Sequence, residues 1–113
     1  MSQHQTALRE QRRSERVRAS LFAIWEMTQT TVSSADVINF SADGCFMHSR
    51  NGLPAKPVVD LQLRLPTERW MHTRGRVIRT SEPDGFGVTF TEMSEQDRTM
   101  LELLVDYYRQ DER

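Results

Sequence analysis

The chain has 113 residues, 37% hydrophobic and 27% charged, with a formal net charge of −1. That is room for one domain with short tails and a modest core. The near-neutral balance excludes a uniformly basic nucleic-acid binder, and no apolar run reaches the length that crosses a bilayer.

The polar N-terminus lacks the apolar segment of a signal peptide. A lone cysteine, Cys45, has no partner for an internal disulfide. Both observations point to a reducing cytoplasm. The charge is unevenly spread. Arg9, Arg12, Arg13, Arg16 and Arg18 face only Glu10 and Glu15 near the N-terminus. Glu92, Glu95, Asp97, Glu102, Asp106, Asp111 and Glu112 outnumber Arg98, Arg109 and Arg113 at the other end. A local anion site on a neutral body fits this distribution.

Residues 1–18 read as a basic arm without an apolar stripe, so a ligand or a partner is needed to order it. Residues 19–113 read as the folded domain. Leu21 to Met27 is a first strand rich in aromatic and branched residues, although its continuous apolar character also suits a helix. Thr28-Gln29-Thr30 forms a hairpin turn. Thr31 to Phe40 is a second strand that ends in Asn39-Phe40-Ser41-Ala42-Asp43-Gly44. In an extended backbone Asn39 and Ser41 point to one face, and Gly44 permits positive φ or close approach of another group. Amide, hydroxyl and bare backbone then lie in one patch, suited to the polar edge of a flat ligand. Such hexapeptides also serve simply to turn the chain.

Cys45-Phe46-Met47 is a short third strand, and Arg50-Asn51-Gly52-Leu53-Pro54 a loop with an Asn-Gly turn signal. Val59, Leu61, Leu63 and Leu65 alternate with Asp60, Gln62 and Arg64 until Pro66, the signature of a half-buried strand. Trp70 to Thr80 is a fifth strand in which Gly75 marks a bulge or a close contact. Glu82-Pro83-Asp84-Gly85 is a turn, and Phe86, Val88 and Phe90 alternate through a sixth strand.

A helix opens at Ser94 and spans about 94–110. Asp97 stands in capping-box position and Glu95 favours the positive end of the dipole. Met100, Leu101, Leu104, Tyr107 and Tyr108 form its apolar face. At ~1.5 Å per residue, about sixteen residues reach roughly 24 Å, enough to cross one end of a small barrel. The fold class is therefore all-β with a C-terminal helix. A six-stranded antiparallel sheet hides its edges by closing into a barrel, and the one helix caps it.

Three blocks of sequence then carry a resemblance. Arg12-Arg13-Ser14-Glu15-Arg16 matches an RxxxR pattern through Arg12 and Arg16, with Arg9 and Arg13 as a second register. Asn39 to Gly44 matches (D/N)xSxxG. Gly75-Arg76-Val77-Ile78, Gly87-Val88-Thr89-Phe90 and the apolar helix complete the series. The pattern resembles the PilZ domain, the bacterial receptor module for cyclic di-GMP. The resemblance implies that Arg12 and Arg16 meet guanine edges and phosphates, and that Asn39 and Ser41 meet a guanine edge from the barrel side. It also implies that Gly44 keeps the turn open and that Arg13 adds a cationic contact. The chain departs from the commoner pattern by using Asn39 where Asp is usual.

No catalytic motif, Gly-rich phosphate loop or HExxH is present, so no enzyme activity is expected. His4, His48 and His72 lack a second ligand at metal spacing, and neither a metal nor a cofactor is expected. Cys45 is expected in the core. Trp25 and Trp70 suit either stacking or core roles. Arg74, Arg76 and Arg79 line the fifth strand as solvated surface, with Arg79 a candidate secondary ligand contact. The function implied is a cyclic di-GMP receptor that acts through contacts with a protein partner. The alternative is a nucleotide-independent protein adaptor on the same fold. Binding to RNA through basic and aromatic residues is a third class, disfavoured by the acidic helix.

Overall fold

Strand alternation and tight turns lead the chain into a closed sheet. The computed structural model describes residues 16–27, 30–81 and 83–111. The strands are β1 (Val17–Glu26), β2 (Val32–Phe40), β3 (Gly44–Ser49), β4 (Val58–Arg64), β5 (Trp70–Ser81) and β6 (Gly85–Glu92). Helix α1 (Glu95–Asp111) follows them. All pairings are antiparallel, and the order β1-β2-β3-β6-β5-β4 closes on itself through β1 and β4. The six-stranded barrel with one C-terminal helix is the fold expected from the sequence.

Each strand begins and ends within a few residues of its expected bounds, with one consequential shift. β1 starts at Val17, four residues before Leu21, so Val17 and Arg18 belong to the barrel and not to the arm. Val17 is buried while Arg18 faces out opposite Asn39. The expected looseness of the arm falls on residues 1–15, outside those described, as do Arg12 and Arg13.

Inside the barrel, Trp25, Phe40, Met47, Leu61, Leu63, Met71 and Phe86 are almost wholly buried. Burying one such side chain contributes about 1.5–3 kcal/mol. Trp25 and Phe86 meet edge to face at 5.4 Å between ring centres. The Trp25 indole N–H donates to Ser49 Oγ at 3.1 Å, and Ser49 Oγ lies 3.3 Å from Ser33 Oγ. The polar atoms that enter the core are thereby paired, which avoids a desolvation cost of about 1–3 kcal/mol.

Helix α1 is capped as its sequence requires: Ser94 Oγ accepts the Asp97 N–H at 3.0 Å. Its buried face is Leu101, Leu104 and Val105, with Met100 and Tyr108 packed partly against the core. Tyr108 meets Phe40 edge on at 5.9 Å, which seats the helix over the barrel end formed by the β2–β3 turn. Tyr107, expected on the apolar face, is 63% exposed, and Val105 takes its place inside. The helical period puts 101, 104, 105 and 108 on one stripe and leaves 103 and 107 on another. This helix is not long and apolar enough to cross a membrane.

Candidate ligand-binding site

The site is built where β2 ends, and a one-residue irregularity decides what it presents. Along β2, Ser33, Ala35 and Val37 point inward. Strict alternation would send Asn39 inward as well. The β2–β3 register shifts between Val37 and Asn39: Val37 opposes Met47, yet Asn39, two residues on, opposes Phe46, only one residue before Met47 on the antiparallel β3. Ile38 is the extra residue of this bulge and is 38% exposed. Bulges of this kind re-aim the side chains beyond them. Asn39 therefore lies on the outer face, between Arg18 of β1 and Phe46 of β3.

Arg16, directly before β1, reaches this outward amide. Its Nη1 donates to Asn39 Oδ1 at 2.8 Å. The two motifs noted in the sequence thus touch through Arg16 and Asn39. Arg16 also lies close enough to Cys45 for its charge to favour the thiolate. That effect is outweighed by burial, which pushes the Cys45 thiol from 9.0 up to about 12.

Ser41 is placed differently from Asn39, because the strand stops at Phe40 and the period-two rule stops with it. Ser41 is only 2% exposed, and its Oγ accepts the Asp43 N–H at 3.1 Å. Its own N–H donates to the Gly44 carbonyl at 2.8 Å. The hydroxyl shapes the turn from within, while the Asn39 amide stands outside. Gly44 opposes Thr89 of β6, and a Cβ there would lie 2.2 Å from the Val88 carbonyl oxygen. Close approach of β6 is what this glycine serves, and its φ is not in the left-handed region.

The turn is further held from the helix side. Arg98 Nη1 donates to Asp43 Oδ1 at 3.1 Å and to the Ala42 carbonyl at 3.5 Å, and the Phe90 N–H donates to the Asp43 carbonyl at 2.8 Å. Sequence reasoning did not single out Arg98. Neither its spacing nor its neighbours betray a partner 55 residues away.

A closed barrel with a helix across one end and a polar, cationic strand end beside it defines a small all-β domain with one capping helix. The PilZ domain profile matches residues 10–107, and the chain belongs to the PilZ domain family. The fold is similar to that of the Bacillus subtilis inhibitor of motility MotI/DgrA, with a TM-score of 0.76 and 21% identity. The match covers 87% of this chain and 51% of that one, so the chain spans about half the length of that protein. The PilZ domain of Escherichia coli YcgR, solved with c-di-GMP, gives a TM-score of 0.73 at 12% identity, covering 88% of this chain and 92% of that one. The Borreliella burgdorferi PlzA protein, solved in complex with c-di-GMP, gives 0.57 at 11% identity over 99% of this chain and 58% of that one. A comparison with curated proteins finds no match.

Proposed function

We propose that the chain is a receptor for cyclic di-GMP that passes the signal on through ligand-dependent contacts with a protein partner. The observation that carries this reading is the 2.8 Å contact between Arg16 and Asn39, which joins the basic arm to the strand-end amide. Arg12, Arg13 and Arg16 would supply cations to the two phosphodiesters and to guanine O6 and N7. Guanidinium suits both targets because it is a planar fork of donors. Asn39 would meet a guanine edge from the barrel. Ser41 and Gly44 would act by holding the turn in shape, since one is buried and the other abuts β6.

Hydrogen bonds to charged groups contribute about 1.5–3 kcal/mol each. Three or four such contacts are together of the order of the ~8 kcal/mol that micromolar binding represents. The presence of c-di-GMP in the YcgR and PlzA structures supports the ligand class. The unpaired thiol of Cys45 fits a cytoplasmic site of action.

The test is a calorimetric titration of the purified chain with cyclic di-GMP. Saturable binding is expected, with Arg12→Ala and Arg16→Ala each abolishing it. No saturation at tens of micromolar (~10⁻⁵ M, near 7 kcal/mol) would reject the receptor reading. A nucleotide-independent adaptor is the second reading, favoured by one observation. Leu103 and Tyr107 on α1 are 59% and 63% exposed, one turn apart, and such residues suit a protein contact with or without nucleotide.

A further inference from the structure

We infer that Arg79, held over the ring of Phe46 on the outer face of β3, β6 and β5, is a stacking shelf for a guanine base of the ligand. The inference rests on the cyclic di-GMP reading and extends the site beyond its two sequence motifs, across three further strands.

Register places the shelf. Residues directly opposite one another in a sheet share a face. Arg18 opposes Asn39, Asn39 opposes Phe46, Phe46 opposes Gly87, and Gly87 opposes Arg79. These residues form one outward row, with neighbouring strands about 4.8 Å apart. A second bulge completes it. Val77 opposes Val88 but Arg79 opposes Gly87, so Ile78 is the extra residue, and it is 51% exposed. Without Ile78, Arg79 would follow Met71, Thr73 and Gly75 toward the interior. Two bulges on separate strands therefore turn Asn39 and Arg79 to the same outer face, on either side of Phe46.

Two glycines make the floor. A Cβ on Gly85 would lie 2.6 Å from Phe46 Cζ. At Gly87 the nearest atoms are Phe46 Cδ1 at 3.5 Å and Arg79 Cγ at 3.7 Å. The ring rests on this bare stretch of β6, steadied edge on by His48 at 5.7 Å. The Arg79 guanidinium carbon sits 5.4 Å from the Phe46 ring centre, within cation–π range.

Arg79 is also uncommitted to a carboxylate among the described residues. Arg74, on the same strand, is taken up by Asp60 at 3.0 Å and Glu92 at 3.5 Å. Arg50 is paired with Asp36, Arg64 with Glu68, and Arg98 with Asp43. Arg79 is exposed and its guanidinium is backed by a ring, and such a side chain is a surface on which bases stack. Asn39 is one strand from Phe46, so the amide and the shelf stand in the same outward row. Phe46 is a positioning residue here, and Arg79 the contact.

Calorimetric titration with cyclic di-GMP tests this on the wild type and on Arg79→Lys, Phe46→Leu, Phe46→Tyr and Arg76→Lys. Lysine keeps the charge of Arg79 and removes its plane, so R79K is expected to weaken binding on the order of tenfold, the scale of one base–side-chain stack. F46L is expected to do the same, F46Y to retain affinity, and R76K to bind as wild type. In NMR spectra the Arg79 Nε–H resonance is expected to move on saturation, as ring current from a stacked base requires. R79K lies at an exposed position and tests the shelf even if F46L folds poorly. Wild-type affinity in R79K, with an unmoved Arg79 Nε–H, would overturn the shelf and leave the receptor reading standing. No binding by the wild type would overturn the receptor reading and the shelf with it.

Discussion

Arg98 of helix α1 grips Asp43 of the β2–β3 turn, with Nη1 at 3.1 Å from Oδ1 and 3.5 Å from the Ala42 carbonyl oxygen. Both side chains are about one-third exposed. The contact ties the helix to the turn that follows Asn39, so the exposed stripe of α1 and the proposed ligand site share a mechanical link. Arg98→Ala is expected to cost about 1 kcal/mol, the upper range for an exposed ion pair, read as a lower urea midpoint. Asp43→Asn should cost about as much, and the double variant less than the sum of the two. Full additivity would show that the pair carries no coupling.

Gly44→Ala should be far more damaging than its position in a turn motif suggests. The added methyl would meet the Val88 carbonyl oxygen at 2.2 Å, and β3 and β6 are hydrogen-bonded neighbours with no slack to separate. A loss of roughly 2 kcal/mol or more is expected from such overpacking, seen as a lower thermal midpoint without any ligand present. Loss of nucleotide binding in this variant would therefore report a disturbed barrel and not a missing contact. A thermal midpoint equal to wild type would refute the packing role.

At Asn39 the expected effects run in two directions. Asn39→Ala removes the acceptor for Arg16 Nη1 and should weaken cyclic di-GMP binding about tenfold, equivalent to the ~1.5 kcal/mol of a charge-assisted hydrogen bond. Asn39→Asp keeps the oxygen and adds a negative charge facing guanine amines and Arg16, so binding should tighten severalfold. Calorimetry on the two variants side by side decides this. Equal affinities would remove Asn39 from the site.

Cys45 offers a pH prediction whose sign follows from burial. Its thiol is pushed from 9.0 to about 12 in the fold, chiefly by desolvation, with Arg16 opposing. Because the folded value is the higher one, the folded state holds its proton where the unfolded chain has lost it. The stability linked to this proton is whole below pH 9 and declines between pH 9 and about 12, at roughly 1.4 kcal/mol per pH unit. Cys45→Ala should flatten that decline in denaturation curves taken across the range. At pH 8 the buried thiol should resist alkylation until the chain unfolds. Rapid labelling of the native protein would contradict its burial.

Much of the barrel was legible because its signals are local. The alternation of Val59, Leu61 and Leu63 with Asp60, Gln62 and Arg64 predicts β4, and the structure buries the first set. Ser94 with Asp97 predicts the start of α1, and their hydrogen bond forms. Of the bulge or close contact expected at Gly75, the structure shows the close contact: a Cβ there would lie 2.9 Å from Val88 Cβ, while the register shift beside it places the extra residue, Thr91, on β6. Other expectations shifted where the deciding partner is distant in sequence. Tyr107 and Val105 exchange places because the helix's rotation on the barrel, not its composition, chooses the buried stripe.

What the amino-acid order determined by itself is the kind and succession of elements, six strands and then a helix, together with the succession of the two motifs. Periodicity, caps and turn residues act over a few neighbours, and that range suffices to specify them. Which side chains stand together outside the barrel was decided only on closure. The one-residue bulges at Ile38 and Ile78 reverse the facing of Asn39 and Arg79, and a bulge exists only relative to the strand paired against it. The same holds for Gly44, whose reason is a carbonyl 44 positions further along the chain, brought close by the pairing of β3 with β6.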